Sequence, residues 1–140
     1  MLVLTMLYKI IADIIVVVHF GWVLFMLLGF VLSLWGFFWR EFFNWWLFRI
    51  LHLFGIVYVV LLAVLRQYCP LTILENTLRA RYNPILTYPG SFIVHYINRL
   101  IYPDVNPLIL LIPTIFIAVF TVVIFIIKPP ARIRGIFRRG

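Results

Sequence analysis

Acidic side chains are scarce in this sequence: four Asp and Glu stand against twelve Lys and Arg in 140 residues, and charged residues make up only 11% of the chain. Soluble domains carry about 25%, so there is too little polar surface here to cover a globule of this size. That excludes an ordinary soluble enzyme, and the 66% hydrophobic content excludes a disordered tail. Cysteine is nearly absent: Cys69 stands alone, which rules out a disulfide scaffold and leaves the redox compartment unread. Three scattered histidines and one cysteine show no zinc-ligand spacing, and no nucleotide loop or catalytic triad is present. With no soluble basic domain to carry a groove or a base-reading element, nucleic acid is not an expected partner.

What the chain has instead is long apolar runs. A hydrocarbon core of about 30 Å needs roughly 20 apolar residues as helix, and three runs qualify. The first is residues 10–38, interrupted by Asp13, His19 and Ser33; the second is residues 45–65, holding Arg49 and His52; the third, residues 108–127, has no ionisable residue. Pro113 lies near the start of the third, where a missing N–H is expected to cost little. A strand reading fails, because the runs are too long, do not alternate, and would leave backbone groups unpaired in lipid. The first run carries Asp13 near its start and no small-residue cleavage site, so it reads as an uncleaved span rather than a signal peptide.

Residues 66–106 differ: they hold Arg66, Arg79, Arg81, Arg99, Glu75, His95, Asp104 and the prolines at 70, 84, 89 and 103. They are expected to form one large structured loop, uncommonly long for a connection and so a candidate for function. The predicted fold class is therefore an all-α integral membrane protein of one domain, with three transmembrane helices and a structured extramembrane loop containing two short helices.

The positive-inside rule sets the expected orientation. The first turn and the C-terminal side hold Arg40, Arg49, Lys128, Arg132, Arg134, Arg138 and Arg139, against Lys9, Arg66, Arg79, Arg81 and Arg99 opposite. The C-terminus is thus expected in the cytoplasm and the large loop in the periplasm. Trp35, Trp39, Trp45 and Trp46 crowd the first turn as an interfacial aromatic belt would. The basic tail, residues 128–140, opens with Lys128-Pro129-Pro130, and its five cations suit an anionic lipid surface at about 1 kcal/mol each. Membrane lipids are accordingly expected partners.

Ionisable residues inside a membrane are expensive and invite a functional reading. Asp13 and Arg49 lie within about a turn of their span ends and are expected to snorkel. His19 and His52 sit deeper. At about 1.5 Å per residue they are about 14 Å and 20 Å from the outer span ends, near enough in depth to meet across an antiparallel pair. Two such imidazoles are candidate axial ligands of haem b, with Gly21 and Gly55 close by to admit a ring. Interhelical or intersubunit hydrogen bonding is the plainer alternative, and proton or quinone handling a third.

In the loop, Thr72 followed by Glu75 fits a capping box, which predicts a helix over about 73–80 with Glu75 and Arg79 as an i,i+4 pair. Cys69 would lie near that helix N-terminus; pairing it with His95 as a nucleophile is a further option, set against the commoner role of a lone cysteine as a small buried hydrophobe. Ser91 is expected to cap a second helix to about Ile101, with Ser91, His95, Asn98 and Tyr102 along one stripe and Ile93, Ile97 and Leu100 along the apolar one. That pattern predicts a helix lying on the membrane, with His95 solvated or packed within the loop.

Ala12-Asp13, His19, Gly29, Leu51-His52-Leu53 and Cys69-Pro70-Leu-Thr72-x-Leu-Glu75-Asn-x-Leu-Arg79, with Gly90-Ser-Phe-x-x-His95-Tyr and Leu100-Ile-Tyr-Pro103, together resemble a bacterial family defined by a domain of unknown function. The resemblance covers nearly the whole chain, and the Cys-Pro-Leu-Thr-x-Leu-Glu motif is its specific part. It implies a small polytopic inner-membrane protein and no activity. The expected function is a non-catalytic accessory, assembly or stabilising subunit of a membrane complex, with other membrane-protein subunits as partners. The alternative is a haem- or quinone-linked redox protein using His19 and His52. Last comes an enzyme on lipid or envelope substrates using Cys69, Glu75 and His95.

Overall fold

The structure is a computed structural model that describes residues 2–100 and 106–130. Its elements are α1 (Leu2–Trp35), a 3₁₀ turn (Arg40–Asn44), α2 (Trp46–Val64), α3 (Pro70–Tyr82), a second 3₁₀ turn (Pro84–Leu86), α4 (Phe92–Leu100) and α5 (Pro107–Ile127). Among the described residues there is no strand. Among the described residues, three helical stretches are long and apolar enough to cross a membrane: Val3–Trp35, Trp46–Val64 and Leu108–Ile127.

The first helix begins eight residues before the expected start at Ile10. Lys9 lies over the Tyr82 ring at 5.8 Å, and the residues before it are mostly apolar. At 34 residues α1 is about 51 Å long, well beyond the thickness of a hydrocarbon core. It ends at Trp35 rather than Phe38, because the chain turns at Gly36. A Cβ there would meet Phe42 and Phe43 at 2.9 Å, so the bare backbone lets both rings close over the turn.

In α5, Asn106 accepts the Leu108 N–H on its side chain at 3.0 Å, and Pro107 takes the first helical position. Pro113 is the seventh residue of this helix rather than part of its first turn. Its missing N–H therefore removes one interior bond, to the Ile109 carbonyl, where the sequence suggested little cost.

The chain divides into two compact units. The first, Met1–Trp22 with Leu62–Ile109, joins the start of α1 to α3 and α4; residues 66–106 are thus built into a helical unit rather than left as a free loop. Ala12, Ile15, Tyr88 and Phe92 are buried in it. The second, Val23–Leu61 with Leu110–Gly140, packs Phe42, Phe43 and Ile124 against Leu32, Phe48 and Phe120. Most apolar surface on the three long helices stays outward: only 22%, 22% and 17% of their most apolar stretches is buried.

Candidate functional site

Pro70, with its fixed φ and missing N–H, is suited to a first helical position and starts α3 there. Cys69 is its N-cap residue and makes no side-chain cap bond; it is a free, half-buried thiol. Thr72 therefore lies inside the first turn. The capping box does not form: Thr72 is buried, and its Oγ1 makes no hydrogen bond among the described residues.

Glu75, also read as part of that box, does something else. It is fully buried, and its carboxylate is closed by three donors. Arg79 Nε donates to Oε1 at 2.8 Å, Tyr88 OH to Oε2 at 2.8 Å, and Tyr96 OH to Oε1 at 3.4 Å. The expected i,i+4 pairing with Arg79 is present. Arg79 also reaches back to α1, with its Nη2 3.6 Å from Asp13 Oδ1. Asp13 is an exposed carboxylate on that helix, paired to the motif helix by charge.

Tyr88 is fixed from its other end. Asn76 donates to the Tyr88 carbonyl at 3.0 Å and accepts the Tyr88 N–H at 3.1 Å, so one amide side chain holds the segment as a backbone partner would. Gly90, at φ +98°, then turns the chain in a conformation that side chains rarely adopt. Ser91 Oγ accepts the Val94 N–H at 3.4 Å, and α4 follows from Phe92.

The packing face of α4 runs through Phe92 and Tyr96, between the two stripes read from the sequence. Phe92 stacks on His19 at 3.8 Å, and Phe20 meets Phe92 and Tyr96 edge-on. Phe92 is the buried residue of this face, and Tyr96 is the α4 side chain that bonds Glu75. His95 packs within the unit, stacked on Tyr88 at 3.7 Å. Tyr102, Pro103 and Asp104 lie outside the described residues, as do the tail residues from 131 onward.

The electrostatics follow from enclosure. Burial, together with the hydrogen bond to Glu75, pushes the Tyr88 hydroxyl well above the usual tyrosine range, and burial with the Glu75 charge raises Tyr96. Burial alone would lower Arg79, but the bond and charge of Glu75 outweigh it and hold the guanidinium up. Burial, then the Arg99 charge, lowers His95.

His19 and His52 fall in different units. His19 is buried against Phe92, and its Nδ1 makes no hydrogen bond among the described residues. His52 is buried, its Nε2 lies 3.0 Å from the Met26 carbonyl, and its ring is parallel to Phe48.

Arg49 departs from expectation. Instead of snorkelling it is buried, donating to the Phe43 carbonyl at 3.1 Å and the Ile124 carbonyl at 3.5 Å. Phe43 and Phe125 flank the guanidinium at 5.1 and 5.3 Å. The turn after α1 and the last turn of α5 supply those carbonyls, so inward bonding is open to it. Lys128 lies over Phe37 and Phe43 at 4.9 and 4.8 Å.

Sequence reasoning did not find Tyr88 or Asn76. Tyr88 stands before Pro89-Gly90 with no motif of its own, and Asn76 was read only as part of the motif text. Neither carried a spacing signal, since both act across the turn between α3 and α4.

Three apolar helices long enough to cross a membrane, with a helical unit sealed around one carboxylate, define an all-helical, polytopic membrane-type protein. The chain belongs to the family described as Protein of Unknown function (DUF2784), which it matches over residues 9–128. No curated protein and no solved structure matches it.

Proposed function

We propose that this is a non-catalytic membrane protein that serves as an accessory, assembly or stabilising subunit of a membrane complex. It would lie in a bacterial inner membrane, with its C-terminus in the cytoplasm and residues 66–106 in the periplasm. The observation that carries the reading is the closure of Glu75: the carboxylate of the 69–79 segment is wholly enclosed by Arg79, Tyr88 and Tyr96 of its own chain. A carboxylate so occupied organises the fold and offers no face to a substrate. The largely unburied apolar surface of the three long helices supports contact with lipid and neighbouring helices.

Mild-detergent extraction from the native host followed by native electrophoresis tests this. A stable assembly heavier than the protein alone is expected, containing a defined second protein in fixed ratio. A lone monomer without a co-purifying protein would sink the reading. Reporter fusions after Phe43 and within residues 66–106 test the orientation, and cytoplasmic reporter activity from the second would overturn it.

A further inference from the structure

Within the second unit, Arg49, Ser33 and Thr121 line a partly open cavity of about 10 Å³, together with His52, three phenylalanines and Ile124. That is about the room one water molecule needs. Arg49, Ser33 and Thr121 each have part of their bonding already committed. Ser33 gives its hydroxyl hydrogen to the Gly29 carbonyl at 2.7 Å, and Thr121 gives its own to the Ile117 carbonyl at 2.8 Å. Both oxygens therefore keep only lone pairs to offer. Arg49 spends N–H groups on the Phe43 and Ile124 carbonyls and retains others, because a guanidinium carries more donors than those two bonds use.

The wall thus offers donors from Arg49 and acceptors from two hydroxyls. An anion would meet the hydroxyl lone pairs, a cation would meet the guanidinium charge, and an apolar occupant would leave both unsatisfied. A molecule that accepts on one side and donates on the other matches all three groups. We infer that this cavity is a binding site for a single water molecule, which accepts from Arg49 and donates to Ser33 and Thr121.

The site solvates a charge that has no carboxylate partner among the described residues. Their ion pairs all involve Arg79, and Glu41, the acid on the turn after α1, is exposed. Water, two carbonyls and two rings then stand where a counter-ion would. Arg49 becomes a positioning residue that ties the turn after α1 to α2 and α5 whatever complex the protein joins.

Solid-state NMR on the full chain, with ¹⁵N-labelled arginine in lipid bilayers, reads this directly. Magnetisation is transferred from water protons to the guanidinium nitrogens at short mixing times. Transfer to Arg49 is expected in the wild type and in Thr121→Ser, and its loss is expected when Thr121→Val is combined with Ser33→Ala. Absence of transfer in the wild type, or its persistence in the double variant, would overturn the site. So would a shift of the Arg49 signals when chloride is replaced by gluconate, which would make the occupant an anion. None of these readouts requires a partner protein, so the result stands apart from the accessory-subunit reading.

Discussion

The ring of His52 lies where a side chain on Gly29 would have to be. A Cβ built on Gly29 overlaps the imidazole, and the ring is held there by its Nε2 on the Met26 carbonyl at 3.0 Å. Gly29→Ala should therefore destabilise the protein by about 1–3 kcal/mol through overpacking. Combining it with His52→Ala should cost less than the sum of the two single changes, as thermal unfolding in detergent would show. Additive losses would mean that the two residues do not share this space.

Glu75 is fully buried and bonded by Arg79, which is itself only partly buried and also reaches Asp13. Glu75→Ala is expected to lower stability by about 1–3 kcal/mol, because the buried Tyr88 hydroxyl loses its acceptor. Arg79→Lys should also weaken it, because one ammonium cannot match the guanidinium bonded to Glu75 at 2.8 Å and reaching Asp13 at 3.6 Å. Protease susceptibility of residues 66–106 gives the measurement, with cleavage expected to rise in both variants.

On the acid side, His95 is held below its ordinary value of 6.5 by burial and by Arg99. The unfolded chain takes up the proton first as pH falls. The stability tied to this group is thus full above 6.5 and is lost as pH drops through that value toward the folded one. His95→Phe keeps a ring on Tyr88 and removes the titration. Its unfolding midpoint should change less than the wild type's between about pH 7.5 and about pH 5.5.

On the alkaline side, Tyr88 is raised by burial and by its bond to Glu75. Its contribution is complete below the ordinary value of 10.0 and is lost as the unfolded tyrosine ionises above it. Tyr88→Phe should flatten the alkaline fall in stability while costing about 1–3 kcal/mol at neutral pH, because Glu75 loses a buried donor. Unfolding curves collected across the alkaline range would show both effects.

Arg49→Lys is expected to destabilise the second unit by about 1–3 kcal/mol despite keeping the charge. A single ammonium cannot serve the Phe43 and Ile124 carbonyls at once while lying flat between two rings. Chemical-denaturant unfolding in detergent checks this, and an unchanged midpoint would show that the two carbonyl bonds contribute nothing.

The sequence by itself determined the class. Scarce acids and three apolar runs demand helices that close their own backbone bonds, and the helices Trp46–Val64 and Leu108–Ile127 are read almost to the residue. It also marked Glu75–Arg79, since an i,i+4 pair depends only on local helix geometry. Tertiary structure alone decided what those residues do. Thr72 missed its cap because Pro70 started the helix earlier, and Arg49 turned inward because carbonyls from the turn after α1 and from α5 were there to receive it. Glu75 was closed by tyrosines more than three helical turns away along the chain. Helical periodicity specifies which side chains share a face. It does not specify which buried polar groups from distant segments arrive to satisfy them, because that depends on how the packed helices bring those groups together.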